Sequence, residues 1–353
     1  MKPMDHEPDN DRHVRPTIAD VALRAGVSTG LVSFALNNRP GVNPSTRRRI
    51  LEIAAEMGWS PDLRARSLRT NRAFALGLVR DTAAAPGDSF FPAFIAGVER
   101  DLSPVGQALV LASASAGPSE AETYRKLASE RRVDGVILTD LRAADERLAL
   151  VAALGLAAVT VGEADIDSPF PAVPVDAVAG VVAMVDHLVA LGHRSLAHVA
   201  GPSVILHERR RRTAFEHACA SRGVACRVID TDSSARGGGE ATKALLADPE
   251  NRPTAITYSN DRMALAGIGV AHRSGLSVPR DLSIAAFDES DIARYVYPSL
   301  TSIVTDAEEW GALAARTLLA AIAGIELAEP RLAPARLVAR ESTAAAPGAR
   351  PAS

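Results

Sequence analysis

The chain has 353 residues, of which 47% are hydrophobic, 23% charged and 4% aromatic, a composition typical of a soluble globular protein with two or three folded units. No stretch approaches eighteen uncharged apolar residues and the first sixteen residues lack an apolar run, so we expect no membrane span, no secretory signal and a cytoplasmic location. The two cysteines, Cys219 and Cys226, have no metal-ligand spacing, which argues against a disulfide framework and a zinc site; we expect no metal and no cofactor.

Charge is distributed unevenly along the chain. Residues 12–72 contain eleven arginines and four acids, a net charge of +7, whereas residues 73–353 carry a net charge of −7. A basic segment joined to an acidic body favours a head that meets a polyanion. On charge alone, arginines that merely cover a solvated helical face explain the pattern equally well.

The first predicted elements are three short helices. Thr17 offers an N-cap for a helix over about residues 17–25, Gly26 can end that helix, and Ser28 can cap the next one. A third helix is predicted over residues 43–58, with a proline in its first turn. The first two helices, joined by a short turn that contains glycine, have the form of a helix-turn-helix.

In a helix-turn-helix the second helix enters the major groove, where short side chains can approach base edges. The residues with that character are Ser28, Thr29, Gly30, Ser33 and Phe34. The alternative is an ordinary three-helix bundle, in which small residues only allow close packing.

Residues 62–72 form a short amphipathic run with four arginines. The run is too short to be a stable helix alone in water. It can fold on DNA, with arginines on phosphates and an apolar residue wedged between base steps, or it is a basic linker. Its candidate DNA contacts are Arg64, Arg66, Leu68 and Arg69.

Six motifs stand out in this region. They are Thr-Ile-Ala-Asp-Val-Ala (17–22), Gly-Val-Ser (26–28), Val-Ser-Phe-Ala-Leu-Asn (32–37), Arg-Pro-Gly-Val (39–42), Thr-Arg-Arg-Arg-Ile (46–50) and Ala-Arg-Ser-Leu-Arg-Thr (65–70). Together they strongly resemble the LacI (lactose/galactose repressor) family of bacterial transcription factors. The resemblance implies that Leu68 is the minor-groove lever of a hinge helix, and that Thr17 and Asn37 are further DNA contacts. Many members carry Arg where this chain has Phe34, so that contact is either replaced by an apolar contact with a thymine methyl or lost.

From residue 75, short runs rich in Val, Leu and Ile alternate with helical stretches. The predicted strands are 76–79, 108–111, 135–138, 157–161, 196–199, 224–229, 255–258 and 282–287. Strands separated by helices imply parallel sheets, and this number is better divided between two lobes. We therefore predict an α/β fold with an all-α helix-turn-helix head and a two-lobed, periplasmic-binding-protein-like core of two doubly wound parallel sheets. Such lobes bind ligands at the carboxyl ends of their strands.

Polar residues follow several of these strand ends. They are Asp81, Glu163, Asn260, Asp261 and Asp288. Taken singly, each is more readily a helix N-cap than a ligand contact, but their joint placement at strand ends favours ligand contacts. The resemblance to repressor cores and periplasmic sugar-binding proteins adds further candidates, namely Asp88, Phe90, Phe91 and Arg211. Carboxylates, an amide and a guanidinium beside aromatic rings suit a polyhydroxylated effector.

Catalytic motifs are weak or missing, so no catalytic residues and no enzyme activity are expected. Gly267-Ile-Gly269 lacks the third glycine of a dinucleotide fingerprint, and neither a nucleophile elbow nor a zinc-protease motif occurs. The alternative class is a sugar-binding protein without regulatory DNA binding. An exported protein of that kind would need a signal sequence and would have no use for a basic head.

The predicted layout is a disordered tail (1–15), a helix-turn-helix domain (16–61), a hinge (62–72), an effector-binding and dimerisation core (73–342) and a disordered tail (343–353). That last tail contains prolines and no leucine, so we expect no leucine-repeat helix and a dimer formed by the core lobes. The sequence predicts a DNA-binding transcriptional regulator, expected to be a repressor, that reads a pseudo-palindromic operator and binds a sugar between its lobes. Sugar phosphates and nucleosides are alternative effectors. Whether the effector weakens or strengthens DNA binding stays open.

Overall fold

The computed structural model describes residues 16–36, 39–59, 67, 70–80, 90–114, 119–162, 167–327 and 332–348. The chain divides into two compact units, Met1–Arg72 and Ala73–Ser353, which we call the head and the core. The predicted N-terminal tail and most of the predicted hinge lie outside the described residues.

The head consists of three helices, as predicted. They are α1 (Ile18–Ala25), α2 (Thr29–Leu36) and α3 (Pro44–Glu56). Thr17 and Asp20 form a reciprocal capping box at the start of α1, and Gly26 ends that helix in the left-handed conformation, with φ of 62°. The apolar positions at helical spacing form one buried cluster, which includes Val21, Val32 and Ile50.

The core contains two separate sheets, so the predicted two-lobed α/β class is confirmed. The first lobe, the N-lobe, has the strands β1 (Ala75–Arg80), β2 (Ala108–Ser113), β3 (Gly135–Leu138), β4 (Ala157–Gly162) and β5 (Ala172–Pro174), which are all parallel in the order β2-β1-β3-β4-β5. Its helices are α4 (Phe90–Leu102), α5 (Glu120–Ser129) and α6 (Glu146–Ala153).

The second lobe, the C-lobe, is built in the same way around a six-stranded sheet. Its strands are β6 (Ser195–Ala200), β7 (Ala225–Asp230), β8 (Ala255–Tyr258), β9 (Ser283–Phe287), β10 (Thr301–Val304) and β11 (Arg336–Val338). Its helices are α7 (Ala177–Ala190), α8 (Leu206–Ser221), α9 (Ala235–Leu246) and α10 (Asp261–Arg273). The order is β11-β10-β9-β8-β6-β7, and β11 pairs antiparallel with β10, so this sheet is not purely parallel as we expected.

Helix α11 (Ala307–Ala323) follows a strand of the C-lobe but packs on the N-lobe. It crosses α4 at two glycines, Gly97 on α4 and Gly311 on α11, each of which contacts the other helix. A Cβ at Gly97 would lie 1.7 Å from the carbonyl oxygen of Glu308, and one at Gly311 would lie 1.9 Å from that of Phe94. Any side chain would therefore force the two helices apart.

The predicted disordered tail is wrong for residues 343–348, which are ordered against the C-lobe. The backbone N–H of Ala346 donates to the carbonyl of Leu191 (2.8 Å), and that of Ala344 donates to the Ser283 hydroxyl (3.1 Å). The Thr343 hydroxyl lies 2.9 Å from the His187 ring. Side-chain and backbone partners on the C-lobe hold residues 343–348 in place although they form no helix or strand.

Within the described part of the chain, no single helix is long and apolar enough to cross a membrane, and α1 with α2 pass that test only as a sharply bent pair.

Candidate functional site

The outer face of α2 carries the side chains that the sequence singled out. Ser28, Thr29 and Gly30 are exposed, Ser33 is half-buried and the Phe34 ring is 43% exposed. The opposite face, with Val32 and Ala35, is buried in the head. This arrangement leaves a row of short polar side chains and one aromatic ring facing solvent, which is the surface that a recognition helix needs.

Polar contacts cap α1 and α2 and join α3 to the end of α1. The Ser28 hydroxyl accepts a hydrogen bond from the Leu31 N–H (3.2 Å) and so caps the helix. The guanidinium of Arg49, on α3, donates to the carbonyl of Ala25 at the end of α1 (2.8 Å). The Thr17 hydroxyl is engaged with Asp20, whose carboxyl pKa this contact lowers. Thr17 therefore positions α1 whether or not it also meets DNA. The predicted contacts Asn37, Arg64, Arg66, Leu68 and Arg69 lie outside the described residues.

In the core, a cavity of about 340 Å³ lies between the lobes, at the carboxyl ends of their strands. Both lobes line it, and the chain bridges them beside it. The backbone N–H of Leu206 in the C-lobe donates to the carbonyl of Leu141 in the N-lobe (2.8 Å), and Arg142 and Ile205 form an isolated antiparallel bridge. We call this cavity the cleft.

Arg211 is the central group of the C-lobe wall. Its guanidinium packs on the Phe287 ring, 4.3 Å from the centroid, and its Nη1 donates to the Ser259 carbonyl (3.2 Å). The Nε of the same side chain is buried and has no hydrogen-bond partner among the described residues. A buried donor without a partner destabilises the protein, so an acceptor that reached this N–H would stabilise it.

Glu208 lies beside Arg211 and is 5% exposed. Its carboxylate accepts from the Gly201 N–H (2.8 Å) and the Ser259 hydroxyl (2.6 Å), and it lies 3.4 Å from the His207 ring. Burial opposes ionisation of Glu208, but the hydrogen bond from His207 and the charges of His207 and Arg211 hold the carboxyl pKa well below its ordinary value. Glu208 is thus a buried anion, and it raises the pKa of His207 against the effect of burial.

His198 completes the floor under this anion. It is fully buried, with its Nδ1 2.9 Å from the Thr257 hydroxyl and its Nε2 3.3 Å from the Ser259 hydroxyl. Burial lowers the pKa of His198 to about 4, and the charge of Glu208 offsets only part of that effect. The ring is therefore neutral at pH 7.

The N-lobe wall combines aromatic rings with a buried cation. Phe90 meets Trp310 edge to face at 5.4 Å, and the Arg80 guanidinium lies 3.4 Å from the centroid of the Phe91 ring. Arg147 is the buried cation, and all three of its nitrogens donate. Its acceptors are Asp145 (2.6 and 2.8 Å), Glu120 (3.1 Å) and the carbonyls of Thr139 and Asp140 (both 3.0 Å).

Three residues of the cleft have a strained backbone. Asp140, Ser233 and Asp288 all line it and all have positive φ, between 50° and 61°, although none is glycine. Such conformations cost about 1–3 kcal/mol each and occur preferentially where a ligand is held. Asn260 lines the cleft as well, and its side chain donates to the Ser233 carbonyl (3.0 Å) while capping α10 through the Met263 N–H (2.9 Å). Asn260 therefore caps a helix and lines the cleft at the same time.

Five of the predicted effector residues line the cleft. They are Phe90, Phe91, Arg211, Asn260 and Asp288. The prediction of Asp261 as a cleft residue is wrong, because Asp261 is 2% exposed and its carboxylate accepts from the Ser290 N–H (2.7 Å). Asp81, Asp88 and Glu163 lie outside the described residues. In the part of the chain that the structure covers, no group of three or more His, Cys, Asp or Glu side chains is placed to hold a metal ion.

Sequence reasoning missed several groups in the cleft, above all Glu208, Arg147 and Trp310. Glu208 had a signal, because it lies three residues before Arg211 on one helix face and can pair with it. Trp310 is one of only two tryptophans, but nothing in its local sequence indicates that α11 returns to the first lobe. Arg147 had no signal, because Asp145, two residues earlier, reads as an ordinary helix N-cap and Glu120 lies 27 residues earlier.

Comparisons with known proteins agree with this geometry. The profile of bacterial regulatory proteins of the lacI family matches residues 17–62, and that of a periplasmic binding protein-like domain matches residues 185–343. The regulator reg1 of Streptomyces lividans is 31% identical over 94% of this chain and 98% of its own length. The chain belongs to the LacI family. The HTH-type transcriptional regulator AglR of Rhizobium meliloti is 32% identical over 95% of this chain and 96% of its own length.

Two solved structures are similar to this chain over nearly its full length. The lac repressor dimer bound to operator and an anti-inducer has a TM-score of 0.79 at 27% identity, covering 94% of this chain and 99% of that one. A complex of the regulator CelR with cellobiose has a TM-score of 0.68 at 29% identity, covering 93% and 100%. As a LacI-family member, the chain is a DNA-binding transcriptional regulator and not an enzyme. The match to the head sets aside the alternative of a binding protein without DNA binding.

Proposed function

We propose that this chain is a repressor that binds a pseudo-palindromic operator as a dimer, and that a sugar bound in the cleft controls its operator affinity. The observation that carries the sugar assignment is the pair of unlike cleft walls. One wall presents aromatic rings, and the other presents Arg211, with its unpartnered Nε, beside Asn260 and Asp288. A sugar ring has apolar faces and an edge of hydroxyl groups, so it complements both walls at once. The cellobiose bound by CelR supports this choice.

On DNA, the hydroxyl groups of Ser28, Thr29 and Ser33 read base edges, while arginines of the head contact phosphates. The predicted hinge contacts Arg64, Arg66 and Arg69 belong to the phosphate set, and Leu68 is the wedge in the minor groove. Two heads related by a dyad fit two half-sites of one operator. We place this activity in the cytoplasm, with the protein associated with the nucleoid while it is bound to DNA.

A second copy of the chain is the partner that best fits an exposed apolar segment of the C-lobe. Within residues 291–297, Ile292, Tyr295 and Tyr297 are 64%, 85% and 86% exposed. Large apolar side chains exposed together indicate an interface. The solved lac repressor dimer supports the choice of a second copy as its occupant.

The same segment is tied to the cleft. Glu289, the residue after Asp288, pairs with Arg294 (2.9 Å) and with Arg340, and the Ser290 N–H is held by Asp261. A ligand that changes the strained backbone at Asp288 therefore acts directly on this surface. Rotation at the dimer contact would separate or join the two heads, and the coupling is reciprocal: an effector that weakens operator binding is itself bound less tightly on the operator.

A thermal-shift screen of the full-length protein against sugars, sugar phosphates and nucleosides tests the ligand class, because a ligand that binds only the folded state raises the melting temperature. We expect a saturable increase with one or a few sugars, and the same sugar should change the affinity for an operator selected from random DNA. A shift with nucleosides alone would contradict the sugar assignment. Stronger operator binding with the sugar would make it a corepressor.

A further inference from the structure

The head carries one aromatic ring on its recognition face, and two features distinguish it from an incidental exposed side chain. Phe34 lies in the last turn of α2 and is 43% exposed, whereas Val32 and Ala35 beside it are buried. Isolated exposed apolar residues are common on protein surfaces and need no function. The meaning of this ring therefore depends on what surrounds it.

The first feature is a cation held on the ring. The Arg39 guanidinium carbon lies 5.7 Å from the Phe34 centroid. The backbone N–H of Arg39 donates to the carbonyl of Phe34 (2.9 Å), and the Arg47 guanidinium donates to the carbonyl of Arg39. Both backbone polar groups of Arg39 are thus anchored, so its side chain starts from a fixed point next to the ring.

The second feature is the open space in front of the ring. Gly30 lies one turn before Phe34 on the same face of α2, and a Cβ placed there would meet only the Ser28 hydroxyl, at 3.9 Å. Thr29 and Ser33, the other outward residues, are short. In α2, whose eight residues are all described, the Phe34 ring is the bulky group that projects beyond its neighbours on this face.

We propose that Phe34 is a specificity-determining residue that contacts the C5-methyl group of a thymine in the major groove, and that Arg39 is the positioning residue that holds the ring there. The thymine methyl is the apolar group on the major-groove edge of the base pairs, and a phenyl ring is a suitable partner for it. The neighbouring hydroxyl groups read polar base edges, which the ring cannot do. This inference rests on the proposed operator binding and adds the base that one side chain selects.

The test begins with the full-length protein and duplexes selected from a random DNA library. Each thymine of the selected operator is replaced in turn by deoxyuridine, which removes only the methyl group, and binding is measured by fluorescence anisotropy. We expect one position in each half-site, related by the operator's symmetry, at which uracil weakens wild-type binding about fourfold. This is the value for the burial of one methyl-sized group. Phe34→Ala should bind the duplexes with thymine and with uracil at that position equally well. At every other thymine, its thymine-to-uracil affinity ratio should match that of the wild type.

Control variants assign the effect. Leu51→Ala removes a side chain of similar exposure (46%) from α3 and should leave the uracil pattern unchanged. Arg39→Ala should reduce the thymine preference at the same position, and Arg39→Lys, which keeps a cation beside the ring, should restore it. Phe34→Leu replaces Phe34→Ala if the alanine variant does not fold, and it should keep an apolar contact with a weaker preference.

Two outcomes would overturn the inference. One is a wild-type operator with no uracil-sensitive thymine, and the other is a sensitive position that stays sensitive in the Phe34 variants. In both cases wild-type binding to the selected duplex remains intact, so the proposed operator binding survives. Failure to select any duplex would instead count against the proposed function itself.

Discussion

The two lobes place opposite charges behind the cleft. The N-lobe buries a cation, Arg147, and the C-lobe buries an anion, Glu208. Every nitrogen of Arg147 has an acceptor, so this group is complete without a ligand. Around Glu208 the network is incomplete, because the neighbouring Arg211 has a buried Nε with no partner among the described residues.

This difference indicates a structural role for the network around Arg147 and a ligand-binding role for the network around Arg211. A buried ion that is fully paired keeps its surroundings in one arrangement, and removing one member leaves an uncompensated charge. A network with one unsatisfied donor gains free energy when a ligand supplies the missing acceptor. We therefore expect substitutions in the N-lobe network to change stability, and those around Arg211 to change effector affinity.

The largest effect is expected for Arg147→Met. This change leaves Asp145 and Glu120 without their buried partner, so the free energy of unfolding should fall by about 3–5 kcal/mol, measured by urea denaturation. Arg142→Met is the matched control, because Arg142 binds the same Glu120 (2.8 Å) but is 37% exposed. That variant should lose less than about 1 kcal/mol. Similar losses of unfolding free energy in both variants would show that the buried Arg147 stabilises the protein no more than the exposed Arg142 does.

The second prediction concerns pH and the floor of the C-lobe network. The His198 pKa is near 6.5 in the unfolded chain and about 4 in the folded protein. Between pH 4 and pH 6.5 the unfolded chain binds more protons than the folded protein does. The stability that neutral His198 contributes is therefore present above pH 6.5 and is lost as the pH falls toward 4, by up to about 3 kcal/mol. The pKa values of His187 and His193 are also lowered by burial, so they contribute in the same direction.

Urea denaturation between pH 7 and 4.5 measures this loss. His198→Asn keeps a polar group near Thr257 but does not titrate, so its stability should depend less steeply on pH than that of the wild type. His217→Asn, at an exposed position on α8, should keep the wild-type slope. An unchanged slope in His198→Asn would show that protonation of this ring is not what destabilises the protein in acid.

The largest effect on function is expected for Arg211→Ala. Effector affinity should fall at least tenfold, or about 1.4 kcal/mol, while operator affinity without effector stays at the wild-type value. Arg212→Ala changes the next residue, which pairs with Glu216 and Asp230 on the surface, and it should bind effector normally. Calorimetric titration compares the two. Equal effector affinity in both variants would exclude Arg211 from the site.

The head could be predicted from sequence because its structure is local. The caps at Thr17 and Ser28, the left-handed Gly26 and the apolar spacing all lie within one short segment, and each signal acts on its immediate neighbours. The strands of the core were predictable for a similar reason, since buried runs of Val, Leu and Ile are recognisable one at a time. The sequence did not predict β5, β10 or β11, because strands of three or four residues carry few positions for such a pattern.

The cleft was only partly predictable, because it depends on residues far apart in the chain. Strand ends indicated Asn260 and Asp288, which line the cleft, but the same rule chose Asp261, whose neighbour in space is Ser290. Whether a strand-end carboxylate faces a ligand or a backbone N–H depends on a rotation of one residue at the start of a helix. That choice is made by tertiary contacts, which local sequence does not contain.

The return of α11 to the N-lobe has a consequence for how the protein is made. The N-lobe sheet is complete at residue 174, but the core that covers Leu76 and Phe94 includes Trp310 and Leu318. At the usual speed of translation the ribosome needs roughly 10–30 s to add the residues between the end of this sheet and the end of α11. During that interval the nascent N-lobe exposes the apolar surface that α11 will cover. The head, in contrast, can fold as soon as it leaves the exit tunnel, so this regulator acquires its DNA-reading unit well before the part that controls it.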